Sequence, residues 1–181
     1  LRVLQKEKMV EKTEKGYRLT PQGLSYVDKV SIEKFEPRIQ PKLTNMLVIQ
    51  NEKEEVLLIP KSKQPFIGSW MLPYGKVHME DESFYAAAVR EADEKLNLQP
   101  ENLEHVGSCY VRAFVNNVLI SSILANVFTA KIESSVRLGD QAGWFDRAAL
   151  GNLRLAPATT HVIDRVSTAE DLFFEQYNID W

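Results

Sequence analysis

The chain contains a turn-rich loop, Gly68-Ser-Trp-Met-Leu-Pro-Tyr-Gly-Lys-Val-His78, that runs directly into the segment Asp81-Glu-Ser-Phe-Tyr-Ala-Ala-Ala-Val-Arg-Glu-Ala-Asp-Glu-Lys-Leu-Asn-Leu98. The second segment is predicted to be a helix, because its alanine run has high helix propensity and Asp81 or Ser83 can accept hydrogen bonds from the first backbone amides. Asn97 readily adopts the left-handed conformation that ends a helix. We therefore expect a loop followed by a rigid helix.

Two carboxylates on this helix are candidates for binding a metal ion. Glu91 and Glu94 are three residues apart, so both project from one face. Hard cations such as Mg²⁺ prefer oxygen ligands, keep several waters and commonly bridge to substrate phosphates. Paired glutamates on a helix are also the ordinary composition of a solvated face, so the surrounding loop must decide between the two interpretations.

The loop and helix together resemble the Nudix box, which is a glycine, five residues, a glutamate, seven residues and then Arg-Glu-x-x-Glu-Glu-x-Gly. Five residues match the box in type and order: Gly75, Glu82, Arg90, Glu91 and Glu94. The preceding Trp70-Met-Leu-Pro73 is similar to the usual Trp-x-x-Pro approach. The resemblance implies an α/β/α sandwich with a mixed sheet.

The resemblance also implies a role for each matching residue. Glu91 and Glu94 would be catalytic metal ligands, and the carbonyl of Gly75 would be a further ligand, for Mg²⁺ or Mn²⁺. Arg90 would complete the catalytic set by orienting a carboxylate through charge-assisted hydrogen bonds. Glu82 would be the structural partner of Arg90.

The substrate would be a nucleotide or nucleotide-sugar type of molecule. Lys76, beside the glycine, would face its phosphates as a point charge unless it is an ordinary surface lysine. Trp70 is the first candidate to contact a ring of the substrate. It belongs to a set of aromatic residues that either stack on such a ring or fill the core: Phe66, Trp70, Tyr110 and Phe114.

Three positions depart from the box. Six residues separate Gly75 from Glu82, so either the loop carries one extra residue or Asp81 takes the place of the acid. Tyr74 replaces a glycine of the usual Pro-Gly-Gly. Lys95 stands where the box has its second adjacent glutamate, four residues after Glu91, so it can pair with Glu91 and compete with magnesium.

An additional catalytic acid often lies outside the box in this family. Asp140 and Glu133, in the polar stretch before Trp144, are the nearest candidates. Most acids in such a loop are merely solvated, and the sequence does not choose between the two.

The first 42 residues differ in kind from the rest. Residues 1–42 hold ten Lys/Arg and six Asp/Glu, which gives a net charge of +4, whereas the remainder carries −7. Two strand-like runs flank Gly16, and Thr20 and Pro21 favour the start of a helix through Leu24, Val27 and Val30. The pattern Gly-Tyr-Arg-Leu-Thr-Pro-Gln-Gly resembles the end of a winged helix.

We predict a winged-helix-like remnant at residues 1–35, a linker at 36–42 and a Nudix domain at 43–181. The alternative for the first segment is a hairpin and helix that decorate the main domain or a dimer interface. We expect the other helices of a winged helix to be missing, so the fragment alone should bind DNA poorly. Any DNA binding would require the complete winged helix.

The predicted Nudix domain contains two pairs of strands. Residues 46–49 and 56–59 read as an antiparallel pair, and residues 104–115 and 118–132 as a longer pair around two asparagines that should lie at the sheet centre. Trp144 and Phe145 would close the sheet. The aromatic tail, residues 171–181, is expected to dock on its own domain or on a second copy in a homodimer.

The composition sets limits on the class of protein. An apolar share of 44% and a charged share of 26% are typical of a globular chain. No run approaches the length of a membrane-spanning helix and no signal peptide is evident, so we expect a cytoplasmic protein. Cys109 is alone and the three histidines are scattered, which argues against a disulfide and a zinc motif.

Three functional hypotheses follow from these features. The first is a magnesium-dependent hydrolase of a nucleoside diphosphate linked to another group, weakened by Lys95. The second is an impaired Nudix domain that senses a ligand for a winged-helix transcriptional regulator. The third is a structural domain that binds a partner through its aromatic tail. The retained glutamates narrowly favour the hydrolase.

Overall fold

The computed structural model describes residues 1–27, 31, 36, 39–139 and 141–181. These residues form two compact units, Leu1–Gln40 and Pro41–Trp181. The predicted remnant at 1–35 and linker at 36–42 both include positions outside the described residues, namely 28–30, 32–35, 37 and 38.

The first unit is a helix, a hairpin and a second helix. Its elements are α1 (Arg2–Lys6), β1 (Val10–Thr13), β2 (Gly16–Leu19) and α2 (Pro21–Val27). β1 and β2 pair antiparallel, and the Thr20 hydroxyl accepts a hydrogen bond of 3.0 Å from the Gly23 amide, as an N-cap does. The predicted hairpin and the predicted helix start are confirmed, while Val30 lies outside the described residues.

The second unit contains one mixed sheet and two long helices. Its elements are β3 (Lys42–Gln50), β4 (Val56–Pro60), β5 (Trp70–Met71), β6 (Tyr74–Lys76), α3 (Phe84–Leu96), β7 (Glu104–Val115), β8 (Val118–Lys131), β9 (Gly143–Phe145), a 3-10 helix (Arg147–Asn152), α4 (Thr159–Thr168) and β10 (Phe173–Asp180). The strand order is β10-β7-β8-β3-β4-β5, with β6 paired to β3 and β9 paired to β4. The predicted mixed sheet is confirmed.

The predicted strand pairs are also present. β3 pairs antiparallel with β4, and β7 pairs antiparallel with β8. Asn116 and Asn117 both have positive φ angles, 49° and 63°, which the tight turn between β7 and β8 requires. The tail docks on its own domain, because β10 pairs in parallel with β7 from Phe173 to Asp180.

The sheet is buried on both faces. On one face the core includes Met46 and Val48 of β3 together with Val162 and Ile163 of α4. On the other face, the intervening Leu47 and Ile49 pack with Ala88, Ala92 and Leu96 of α3. This alternation explains the continuous apolar run in β3, since successive strand side chains point to opposite faces. No described helix is long and apolar enough to span a membrane.

We predict that Gly107→Ala destabilises the second unit by about 2 kcal/mol. A Cβ at Gly107 would lie 2.5 Å from the carbonyl oxygen of Phe173 and 2.7 Å from its ring, so β10 must move away from β7. The control is Gly151→Ala, where a Cβ meets nothing within 4 Å. Urea unfolding followed by circular dichroism measures the difference, and equal stability of the two variants would contradict the tight packing of β10.

Candidate functional site

Helix α3 carries the charged residues of the site on a fixed platform. The Ser83 hydroxyl accepts a hydrogen bond of 3.0 Å from the Ala86 amide, and Asn97 ends the helix with a φ of 55°. Of the two predicted caps, Ser83 is therefore the one used. The apolar face of α3 is buried on the sheet, which turns Glu91, Glu94 and Lys95 toward a cleft bounded by β6 and the end of β4.

Gly75 allows the closest contact in the site. Glu91 is only 4% exposed, and its carboxyl group lies directly against the backbone of Gly75 in β6. A Cβ at this position would overlap the carboxyl group of Glu91. The glycine is therefore required by the approach of β6 to α3, which no other residue would permit without displacing Glu91.

Arg90 connects the loop to the helix. Its Nε and Nη2 atoms each donate a hydrogen bond of 2.9 Å to Asp81, and Nη2 also donates to the carbonyl oxygen of Lys76 at 3.1 Å. Its Nη1 donates to Glu91 Oε1 at 2.8 Å and lies 3.5 Å from Glu94. Arg90 thus holds Glu91 in place.

The predicted partner of Arg90 was wrong. Glu82 is exposed, and the acid that accepts the paired hydrogen bonds is Asp81. Asp81 also accepts a hydrogen bond of 2.7 Å from the His78 amide, which closes the loop just before α3. The loop keeps its ordinary length if it is counted from Gly75 to Asp81, so Asp81 takes the place of the acid.

Asp81 is electrostatically fixed as a carboxylate. Hydrogen bonds from Arg90, and then from the His78 amide, lower the pKa of Asp81 from 3.8 to about 2. The hydrogen bonds that Arg90 donates to Asp81, followed by the one it donates to Glu91, raise the pKa of Arg90 above its usual value. Both groups therefore stay charged at neutral pH.

Lys95 occupies the centre of the charged cluster. Its ammonium group donates hydrogen bonds to Glu91 Oε2 and to the carbonyl oxygen of Tyr74, and it lies 5.8 Å from the centroid of the Tyr74 ring. Glu91 therefore has a cation on each of its two oxygens, because Arg90 binds Oε1. The sequence-based expectation that Lys95 pairs with Glu91 is confirmed.

The arrangement does not fit a divalent cation. The predicted ligands were Glu91, Glu94 and the Gly75 carbonyl, but the Lys95 ammonium already holds Glu91 and an adjacent loop carbonyl. A second cation there would be repelled by Lys95 and would lose the charge of Glu91. Within the described ranges, no group of three His, Cys, Asp or Glu side chains is placed to hold a metal ion.

The cleft beside this cluster is large and basic. Its volume is about 490 Å³. Its charged lining residues are Lys61, Lys63, Lys76, Glu91, Glu94 and Lys95. Four lysines thus face two glutamates, so the cleft carries a net positive charge that attracts anions.

Of the two residues predicted to contact substrate, Lys76 and Trp70, only Lys76 lines the cleft. Lys76 is exposed and lines the cleft, as required for a phosphate contact. Trp70 does not line the cleft, which corrects the prediction that it contacts substrate. Its ring packs edge-on against Phe145 with centroids 4.7 Å apart and joins the core on the α4 face.

The other candidate residues lie away from the cleft or beyond the described chain. Phe66 packs against Trp181, and Phe114 lies under the guanidinium of Arg112. Glu133 accepts a hydrogen bond from Ser135 and does not line the cleft, whereas Asp140 lies outside the described residues. Burial raises the pKa of the Cys109 thiol to about 12, so this residue is an inert part of the core.

Sequence reasoning missed Lys61. This residue follows β4 directly and is only 8% exposed, and its Nζ donates a hydrogen bond of 3.0 Å to the Tyr74 hydroxyl. The available signal was a lysine immediately after the apolar run Val56-Leu-Leu-Ile-Pro60, at the end of a buried strand. Its position in the sequence did not reveal that the side chain would be buried against Tyr74.

The chain matches a known protein family. A family model described as NUDIX domain matches residues 41–166. Among curated proteins, the human 8-oxo-dGDP phosphatase NUDT18 is 32% identical over 124 residues, which cover 66% of this chain and 36% of that protein. The chain therefore spans little more than a third of the length of this relative.

Solved structures give the same fold. The NUDIX domain of Shewanella oneidensis NrtR complexed with ADP ribose superposes with a TM-score of 0.61 at 20% identity, covering 82% of this chain and 97% of that chain. Shewanella oneidensis NrtR complexed with a 27mer DNA has a TM-score of 0.55 at 23% identity, covering 68% of this chain and 59% of that chain. These likenesses confirm the predicted α/β sandwich.

We predict that Asp81→Asn lowers the melting temperature at neutral pH, whereas Glu82→Gln leaves it unchanged. Asp81 has a folded-state pKa below its unfolded value, so its contribution is complete above about pH 4 and is lost as the pH falls toward 2. The difference between the wild type and Asp81→Asn should therefore narrow across that window. Thermal unfolding measured at several pH values tests this, and a larger effect of Glu82→Gln would restore Glu82 as the partner of Arg90.

Proposed function

Because the chain belongs to the NUDIX domain family, we propose that its cleft binds a nucleoside diphosphate linked to another group and hydrolyses it only weakly. The main support for this proposal is the contact of the Lys95 ammonium with Glu91 and the Tyr74 carbonyl. This contact leaves the ligand cleft open while it occupies the carboxylate on which a metal would depend. Binding is thereby favoured over turnover.

Some charged residues at the site are suited to bind phosphate, and others hold Glu91 in position. Lys63 and Lys76 are exposed at the cleft and are suited to neutralise phosphate oxygens. Arg90, held by Asp81, orients Glu91 and does not itself line the cleft. We therefore assign Arg90 a positioning role.

The weakness of turnover follows from the charge of Lys95. Divalent metals in such sites polarise a phosphoryl oxygen and generate a nucleophile from bound water. An ammonium group neutralises charge but provides neither effect, and its contact with Glu91 opposes metal binding. The side chain of Glu94 is 55% exposed and already lines the cleft.

The ligand class is drawn from the chemistry of the cleft and from the names of similar proteins. A human relative is an 8-oxo-dGDP phosphatase, and a structurally similar domain was crystallised with ADP ribose. Both compounds are nucleoside diphosphates, one of them linked to a further sugar. We propose that the ligand of this chain belongs to the same broad class.

We predict that Lys95→Glu increases magnesium-dependent hydrolysis by at least about ten-fold, because it removes the competing cation and restores the second adjacent carboxylate of the box. The measurement is chromatography of the nucleotide products formed with Mg²⁺ or Mn²⁺ from a panel that includes 8-oxo-dGDP, ADP ribose, dinucleotides and nucleotide sugars, because a linked diphosphate splits into two phosphomonoesters and releases no free phosphate. The wild type should turn over slowly or not at all.

Two controls make this test selective. Lys53→Glu makes the same charge change at an exposed turn between β3 and β4, and should leave turnover unchanged. Glu91→Gln in the Lys95→Glu background should abolish the gained activity. Rapid turnover by the wild type, with no gain in Lys95→Glu, would sink the proposal that Lys95 restrains hydrolysis.

A ligand sensor in a transcriptional regulator is the second candidate. The hairpin β1–β2 followed by α2 has the order of a wing and final helix, which favours it over an isolated enzyme. In this case a compound from the panel would raise the melting temperature without being hydrolysed, even by Lys95→Glu. Turnover gained in Lys95→Glu would favour the hydrolase.

A further inference from the structure

Lys61 is a buried cation with an incomplete set of partners. It is 8% exposed, and its Nζ contacts the Tyr74 hydroxyl at 3.0 Å and lies 5.2 Å from the centroid of the Tyr74 ring. Among the residues that the structure describes, no carboxylate forms an ion pair with it. An ammonium group has three donors, and burying its charge is unfavourable unless an anion pairs with it.

The position of Lys61 shows where an anion would enter. Lys61 and Tyr74 line both the 490 Å³ cleft and a smaller cavity of about 50 Å³ on the α4 side, whose walls include Phe66, Leu72 and Val111. Lys61 therefore lies where the cleft and the smaller cavity meet, and its low exposure limits its access to solvent. A ligand oxygen that reached this point would meet a desolvated donor.

Once the ion pairs of Glu91 and Glu94 are counted, the charges that remain at the cleft are positive. Arg90 and Lys95 neutralise Glu91, and Glu94 faces Arg90 at 3.5 Å. Three cations are then left at the cleft without an acidic partner in the described part of the chain, namely Lys61, Lys63 and Lys76. A diphosphate that is linked on both sides carries two negative charges, so three ammonium groups around one cleft are sufficient to neutralise it.

We propose that Lys61, Lys63 and Lys76 bind the diphosphate of the ligand directly, without a divalent cation, with Lys61 as the main contact. Lys95 then supplies, as part of the chain, the positive charge that a metal ion would bring between Glu91 and the loop. This inference rests on the proposed binding of a nucleoside diphosphate and specifies how that binding occurs. Ligand binding then does not require magnesium.

The test is calorimetric titration of the whole chain with ADP and with inorganic pyrophosphate, each in excess EDTA and again in excess Mg²⁺. Binding should be present in EDTA and should not become tighter in excess Mg²⁺, because the metal chelates the free diphosphate and competes with the lysines. Lys61→Met, which keeps the length and apolar stem of the side chain, should weaken binding by at least about ten-fold in EDTA, as expected for one charge-assisted hydrogen bond. Lys53→Met, at the exposed turn, should bind like the wild type.

The outcomes separate this inference from the proposed function. Binding that requires magnesium, or wild-type affinity in Lys61→Met, would overturn the lysine-based mode and leave nucleotide binding intact. If neither ADP nor pyrophosphate binds in either condition, and no compound of the hydrolysis panel binds, the proposed function itself is wrong. If Lys61→Met fails to fold, the double variant Lys63→Met/Lys76→Met replaces it, because both of these lysines are exposed. Unchanged affinity in the double variant would overturn the inference.

Discussion

The buried carboxylate of Glu91 is the constraint around which the site is arranged. A carboxylate that is only 4% exposed must be paired, and two cations pair with it, one on each oxygen. Arg90 binds Oε1 while Asp81 holds the other side of its guanidinium, and Lys95 reaches Oε2 from one helical turn away. The guanidinium of Arg90 therefore fixes both the loop before α3, through Asp81, and the carboxylate at the cleft, through Glu91.

Close packing between α3 and β6 makes this charge cluster possible. Gly75 permits contact of the β6 backbone with the Glu91 carboxyl, and β6 is itself fixed by its pairing with β3, at the centre of the sheet. The sheet is buried on both faces, so α3 cannot shift without exposing Ala88, Ala92 and Leu96. The packing of the core thus fixes the positions of β6 and α3, and with them the positions of the polar residues of the site.

Local sequence signals predicted most of the fold, whereas the site required tertiary information. The Thr20 and Ser83 caps, the two asparagines of the β7–β8 turn and the left-handed Asn97 act within a few residues, so the sequence alone identifies them. The choice between Asp81 and Glu82 depended on how the loop folds back, which spacing left open. The burial of Lys61, and the packing of Trp70 on Phe145 away from the cleft, depend on residues distant in sequence.

A lysine in the position of a metal-binding glutamate separates two tasks that a metal ion performs together. A divalent cation both neutralises phosphate charge and activates water, so a site that depends on it binds and hydrolyses its ligand with the same ion. An ammonium group held by Glu91 and the Tyr74 carbonyl retains only the first task. Its positive charge is covalently attached and needs no metal from solution. Under the proposed function, a cleft built in this way would hold a phosphorylated ligand intact in preference to hydrolysing it.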